Sequence, residues 1–135
     1  MQIDLALIAD AATVDAAGKL SILGVFDHIA ARDFPARHER MVLVLRFDAG
    51  VDEAGTHAVA IAVRDPDGGE VARMNGEIQL VPGRPDARIR VPQIVHFDGF
   101  VFPKPGVYSI DVSVDEDLLS TQALRVSESP KMARA

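Results

Sequence analysis

The chain has 135 residues, no cysteine and a formal net charge of −6 at pH 7, and 48% of its residues are hydrophobic. This hydrophobic content excludes a disordered chain, and the length is typical of one domain. The missing cysteine excludes disulfides, thiolate metal sites and cysteine nucleophiles. The acidic balance argues against general nucleic-acid binding, which usually requires a basic surface.

The opening segment, MQIDLALIADAATV, superficially resembles a signal peptide. It has no basic start, however, and Asp4 and Asp10 interrupt the apolar stretch that such a peptide needs. No apolar run elsewhere approaches the roughly 20 residues of a membrane span. We therefore expect the opening segment to be part of the folded domain, and the protein to be cytoplasmic and free of membrane.

The first half of the chain predicts strands. In residues 2–7, large apolar residues alternate with polar residues or alanine, which favours a strand, although the alanine-rich continuation to Ala17 would also tolerate a helix. Residues 15–18 predict a turn into a second strand, residues 19–31, in which Gly24 indicates a bulge.

Three further segments continue the β pattern. Residues 41–47 are almost entirely apolar, as expected of a central strand covered on both sides. Residues 59–63 alternate, and the DPDGG sequence at 65–69 predicts a tight turn into a return strand that ends near Leu80. Residues 88–91 also alternate, and Pro92 is expected to end this strand, which suits an edge strand or a bulge.

The clearest strand is residues 108–114, where Tyr, Ile, Val and Val alternate with Ser, Asp and Ser. A return strand over residues 119–126 completes a hairpin. The whole pattern predicts an all-β fold, a two-layered antiparallel β-sandwich of roughly eight strands, immunoglobulin-like or jelly-roll-like. Residues 1–126 would form this single domain, and residues 127–135 a flexible C-terminal tail.

Three motifs carry a resemblance to a known family. They are MQxDxALxADAA at residues 1–12, GKLxxLG at residues 18–24 and FPxPGxY at residues 102–108. In these motifs the chain resembles a family of short bacterial proteins of unknown function. The likeness spans nearly the whole chain and implies a compact all-β domain whose first segment is a strand. It implies no catalytic residues.

Tyr108 has two structural interpretations. It follows a glycine-containing turn, which resembles the tyrosine corner of immunoglobulin-like sandwiches, where the hydroxyl bonds to preceding backbone. The alternative is an ordinary tyrosine at the edge of the core.

Residues with the chemistry of an active site are present, but they form no motif. The four histidines are His28, His38, His57 and His96. Their spacings match no metal site, and the sequence contains no nucleophile elbow or phosphate-binding loop. Acidic residues at 65–70 and 115–117 suit turns better than a calcium site. We expect no enzymatic activity, no cofactor and no metal.

Arginines gather near two connections and suggest an anion site. Arg37 and Arg40 lie near one of them, and Arg84, Arg88 and Arg90 near the other. If the fold brings the two groups together, they could bind a phosphate or carboxylate. The alternative is that they are solvated flanks of strands.

Small apolar residues suggest an interface. Ala58, Ala60 and Ala62 occupy the face of their strand that should be solvated, and Leu23 and Val25 interrupt the polar face of another. We interpret Ala58, Ala60 and Ala62 as part of a homo-oligomer interface, with a dimer as first expectation. The alternative is that loops of the same chain cover these faces.

Two hypotheses of function follow from these patterns. The first is a non-catalytic interaction or assembly module that self-associates or binds an unidentified protein. The second is a small-ligand or anion-binding domain that uses the arginine-bearing loops or a pocket between the sheets.

Overall fold

Strands occupy most of the chain in the computed structural model, which describes residues 1–84 and 87–129. The described strands are β1 (Gln2–Val14), β2 (Leu20–Phe26), β3 (His28–Ala31), β4 (Ala36–His38), β5 (Val42–Ala49), β6 (Gly55–Arg64), β7 (Glu70–Leu80), β8 (Ile89–His96), β9 (Phe100–Phe102), β10 (Gly106–Val114) and β11 (Asp117–Glu128). A short 3-10 helix, Val51–Glu53, lies between β5 and β6.

Two larger sheets form the sandwich. One has the order β2-β1-β5-β8 and the other β3-β11-β10-β6-β7, while β4 and β9 form a separate ribbon. The described pairs are antiparallel except β3 with β11. The apolar faces of the two larger sheets meet in one core. The predicted all-β, two-layered sandwich is therefore confirmed, with eleven strands in the described residues rather than roughly eight.

The core is built from alternate residues of central strands. On β5, Leu43, Leu45 and Phe47 are fully buried, and on β10 Ile110 and Val112 are almost fully buried. Burying a side chain of this kind stabilises the fold by about 1.5–3 kcal/mol. The period-2 pattern therefore decides which faces of the two sheets meet.

Three predicted boundaries are wrong. β8 does not end at Pro92 but continues through it to His96, at an edge of its sheet. The strand predicted at residues 19–31 is interrupted at Asp27, so β2 and β3 belong to different sheets. The strand predicted to end at Val126 continues as β11 through Glu128, because Ser127 and Glu128 pair with β3. The domain therefore extends at least two residues into the segment predicted to be a tail, and residues 130–135 of that segment lie outside the described residues.

The outer face of β5 is also buried, as the apolar run at 41–47 predicts. Val42 and Val44 form a second cluster with Ala9 on the side away from the main core. Six partly buried residues pack against it: Leu5, Leu7, Ala12, Leu20, Ile22 and Ile94. Most of this cover comes from the hairpin of β1 and β2, so the chain itself covers part of its apolar outer face.

Tyr108 forms a tyrosine corner. Its hydroxyl donates to the backbone carbonyl of Lys104 at 2.7 Å and accepts the Lys104 backbone N–H at 3.2 Å. The ring is buried and meets Phe102 edge to face, with ring centroids 5.0 Å apart. The interpretation as a corner that fixes the turn before β10 is therefore confirmed, and burial raises the pKa of its hydroxyl.

The described residues contain no helix with the length and apolar character needed to cross a membrane.

Candidate functional site

The fold separates the two arginine groups. In the β5–β8 register, Val42 is opposite His96 and Asp48 is opposite Arg90. Arg37 and Arg40 precede β5 in the chain, whereas Arg88 and Arg90 lie beside its last residues. Six residues of strand separate these ends, a distance of about 20 Å. Arg84 is exposed in the connection before β8, at the end where Arg88 lies.

Carboxylates neutralise several of these arginines. Arg88 Nε donates to Asp48 Oδ1 at 2.7 Å, and Gln2 Nε2 donates to Asp48 Oδ2 at 3.0 Å. The bond from Arg88, followed by that from Gln2, lowers the pKa of Asp48. Arg90 Nε lies 3.8 Å from Asp4 Oδ2. An added anion would have to compete with these carboxylates.

Arg37 is paired at the other end of β5. Its guanidinium donates to Glu39, and both side chains are exposed. The structure therefore keeps the two arginine groups apart. In the ion pairs just described, a carboxylate already neutralises each arginine, so these arginines do not form a ready site for an anion.

His57 and Asp115 form a pair that the sequence patterns do not reveal. His57 Nδ1 lies 2.5 Å from Asp115 Oδ2, and His57 Nε2 lies 2.6 Å from the backbone oxygen of Glu53. Asp115 also accepts the Ala58 backbone N–H at 3.1 Å. Because the hydrogen bond to Asp115, and then that to Glu53, favour the charged imidazole, the pKa of His57 is raised.

This pair is poorly arranged for acid–base catalysis. Both ring nitrogens of His57 face acceptors, so the imidazolium donates from both and neither is available to a substrate. Its side chain is 18% exposed. The pair instead links the start of β6 to the turn between β10 and β11. No spacing rule predicts it, because the two residues are 58 positions apart in the chain.

The acidic segments form turns. Asp65 Oδ1 accepts the backbone N–H groups of Asp67 and Gly69 at 3.0 and 2.8 Å, which fixes the turn between β6 and β7. Asp115 and Glu116 have φ of 49° and 74°, as a two-residue hairpin turn requires. Within residues 1–84 and 87–129, no group of three or more His, Asp or Glu side chains is placed to hold a metal ion.

Ala58, Ala60 and Ala62 lie on the outer face of the five-stranded sheet. Their partners on β7 are, in the same order, Glu77, Asn75 and Arg73. On the other side, Ser113 and Asp111 of β10 are opposite Ala60 and Ala62. Ala58 and Ala60 therefore form the floor of a shallow groove of about 440 Å³ with polar walls, whereas Ala62 is only 5% exposed and does not line it. This surface is not an apolar patch.

Leu23 and Val25 are the more exposed apolar pair. Their side chains are 72% and 62% exposed, and each is in register with an alanine of β1, Ala11 and Ala9. These short neighbours leave both side chains uncovered. In the described residues β2 pairs only with β1, so the other edge of its backbone faces solvent.

Comparison with solved structures shows the fold in other proteins. The alkylpurine DNA glycosylase AlkC from Pseudomonas fluorescens, bound to DNA containing an abasic site analog, matches with a TM-score of 0.50 and 11% identity. The match covers 93% of this chain but only 30% of the glycosylase, so the chain spans less than a third of that protein's length. At this identity the likeness concerns the fold alone.

An immunoglobulin-like protein from Pseudomonas aeruginosa also matches, with a TM-score of 0.42 and 16% identity over 93% of this chain and 94% of that chain. No curated protein matches the chain significantly. The model of a family of unknown function, DUF6941, matches residues 4–127, which include nearly the whole described sandwich. The resemblance to a family of unknown function is thereby confirmed: the chain belongs to DUF6941.

Proposed function

We propose that this protein is a non-catalytic assembly module that forms a homodimer through the free edge of β2. The observation that carries the proposal is the pair Leu23 and Val25, 72% and 62% exposed on a strand whose outer edge is unpaired. An exposed apolar edge strand is a surface that proteins usually protect, because it readily pairs with another strand. A second strand would bury both side chains and satisfy the free backbone groups.

The pattern of charges favours a second copy as the partner. When β2 lies antiparallel to its own copy with Leu23 on the two-fold axis, Lys19 lies opposite the partner's Asp27, and the reciprocal pair forms at the other end. Ser21 lies opposite the partner's Val25. Lys19 and Asp27 are both exposed, and neither takes part in an ion pair within the described residues. In this register the two ends of the edge therefore carry complementary charges.

Three observations support the other parts of the proposal. The occupied ring nitrogens of His57 support a non-catalytic role. The net charge of −6 disfavours nucleic acid as a partner, and the absence of cysteine suits a reducing compartment, so we propose that the module acts in the cytoplasm.

The first experiment is to measure the mass in solution by size-exclusion chromatography with light scattering at micromolar concentrations. The expected mass is twice the 14.5 kDa of one chain. Leu23→Lys places two like charges at the two-fold axis and should give a monomer. Val81→Lys is the matched control, because Val81 is 67% exposed but lies in the connection after β7. A wild-type monomer, or a dimer that survives Leu23→Lys, contradicts the proposal.

A charge exchange tests the register of the two strands. Lys19→Asp should weaken the dimer by about two- to tenfold in Kd, because it turns two attractive pairs into repulsive ones. Adding Asp27→Lys in the same chain should restore the wild-type Kd. A third variant, Ala60→Lys, tests the alanine groove as an alternative interface and should leave Kd unchanged. If Ala60→Lys alone dissociates the dimer, the interface is the groove and the β2 proposal is wrong.

A further inference from the structure

An apolar cleft opens on the side of the sandwich opposite β2. It lies between β7 and β8, which are the edge strands of the two sheets at that side. Val59, Ile61, Ile78 and Val95 line the cleft, which has a volume of about 160 Å³. Since Ile61 and Ile78 belong to the main core, the cleft gives direct access from solvent to core residues.

The space exists because Gly76 has no side chain. Gly76 is opposite Val59 in the register of β6 and β7, so it faces the interior of the sandwich between Met74 and Ile78. Its φ lies outside the left-handed region, and a Cβ added there would meet no atom within 4 Å. The backbone therefore has no need for glycine at this position. The missing side chain leaves the cleft open.

The polar groups of the lining restrict what could bind. Gln93 is opposite the fully buried Leu45, so its amide side chain projects from the inward face of β8 into the cleft. It can both donate and accept a hydrogen bond. No lining residue is basic, and the Glu77 side chain lies on the outer face of β7, opposite Ala58. An anionic ligand would lose its hydration in the apolar cleft and find no compensating positive charge there.

We propose that this cleft binds a small neutral molecule with a compact hydrocarbon body of about six carbons and one hydroxyl or amide group. An apolar cavity of about 150 Å³ in another protein is known to hold benzene, so the volume suits a body of this size. The polar group of the ligand bonds to the Gln93 amide. This inference is independent of the dimer, because β2 and β8 are opposite edges of the four-stranded sheet.

Methyl NMR of the full chain tests the site with cyclohexanol as the probe. We expect saturable shift changes at the methyl groups of Val59, Ile78 and Val95, and none at the remote, exposed Val107. Cyclohexanecarboxylate has the same body with a negative charge and should bind at least tenfold more weakly. Absence of saturable shifts, equal binding of the carboxylate, or shifts spread over all exposed apolar residues would overturn the proposal.

Two variants locate the site. Gly76→Val fills the cleft and should reduce cyclohexanol affinity at least tenfold, while the melting temperature stays equal or rises, because valine suits a strand and its Cβ enters open space. Unchanged affinity in the folded variant would overturn the proposal. If Gly76→Val does not fold, Gln93→Leu decides. It removes the hydrogen-bonding group and should weaken cyclohexanol binding at least threefold, and unchanged binding would again overturn the site.

Discussion

The imidazole of His57 and the carboxylate of Asp115 lie 2.5 Å apart and join the first residues of β6 to the turn between β10 and β11. The second ring nitrogen of His57 reaches the backbone oxygen of Glu53, in the 3-10 helix just before β6. One charged side chain thus fastens three segments at one end of the five-stranded sheet. Its charge makes this link dependent on pH.

The first prediction concerns this dependence. The pKa of His57 is raised in the folded state, so its contribution to stability is complete below the unfolded value of about 6.5 and is lost as pH rises through the folded pKa. The pKa of Asp115 is lowered, chiefly by its bond to His57, so its contribution is present above about 3.9 and lost as pH falls through the folded pKa. His57→Gln should therefore lower the melting temperature most near pH 5.5, between these values.

Thermal melts of wild type and His57→Gln from about pH 4 to pH 9 measure the difference. His96→Gln is the control, because His96 is exposed and takes part in no ion pair of the described residues. A gap between wild type and His57→Gln that is constant or widens above neutral pH would show that the imidazole does not act through its charge.

The second prediction concerns the tyrosine corner. Tyr108→Phe keeps the edge-to-face contact with Phe102 but removes both hydrogen bonds to the Lys104 backbone. The free energy of unfolding should fall by about 1–3 kcal/mol, since a partly buried N–H and C=O lose their partner. Urea denaturation measures this loss. Phe102→Leu keeps the hydrogen bonds but removes the aromatic contact, so it measures the contribution of that contact alone. An unchanged urea midpoint in Tyr108→Phe would refute the role of the hydroxyl.

The sequence predicts those parts of the fold that depend on alternation. Residues 108–114 and 59–63 alternate because one face of β10 and β6 is in the core, and both strands form where the pattern places them. Alternation does not reveal which sheet a strand joins. The sequence pattern therefore predicts one strand over residues 19–31. In the structure the strand breaks at Asp27, with β2 in the four-stranded sheet and β3 in the five-stranded sheet.

The candidate sites depend on neighbours that are distant in the sequence. Ala58, Ala60 and Ala62 resemble an apolar surface until the register places Arg73, Asn75 and Glu77 beside them. The arginines form clusters in the sequence, but β5 separates the clusters. Exposure of Leu23 and Val25 follows from the small size of two residues on β1, which their own strand cannot indicate. Only the pairing of strands shows which residues lie beside each of these side chains, and the sequence pattern of a single strand does not contain that information.

The third prediction concerns anions. Because Arg88 is bonded to Asp48 and the other arginine group lies at the far end of β5, phosphate should raise the melting temperature no more than sodium chloride of equal ionic strength. Asp48→Asn removes the carboxylate that competes for Arg88 and Arg90. This variant should have a lower melting temperature in chloride and regain part of the loss in phosphate. A phosphate-specific rise in the wild-type protein would instead favour an anion site.

The fourth prediction concerns Gly24, between the two exposed residues of β2. Its φ is +73°, and a Cβ added there would overlap the carboxylate of Asp10. Gly18 has a similar φ of +81° but open space around its Cβ position. Gly24→Ala and Gly18→Ala should both cost about 1–2 kcal/mol of stability, because alanine is strained in this conformation. Only Gly24→Ala has the additional cost of displacing the Asp10 side chain.

A double-mutant comparison isolates that additional cost. In an Asp10→Ala background the obstacle is gone, so Gly24→Ala should then destabilise the fold only as much as Gly18→Ala does, as measured by urea denaturation. The same variant also tests the proposed dimer, because a β2 backbone that shifts away from Asp10 at position 24 would move Leu23 and Val25 on either side of it. Its Kd for self-association should rise, whereas Gly18→Ala, in the turn before β2, should leave Kd unchanged. Equal effects of the two substitutions on both stability and Kd would mean that Asp10 does not constrain the edge, and that the shape of β2 is set by its backbone alone.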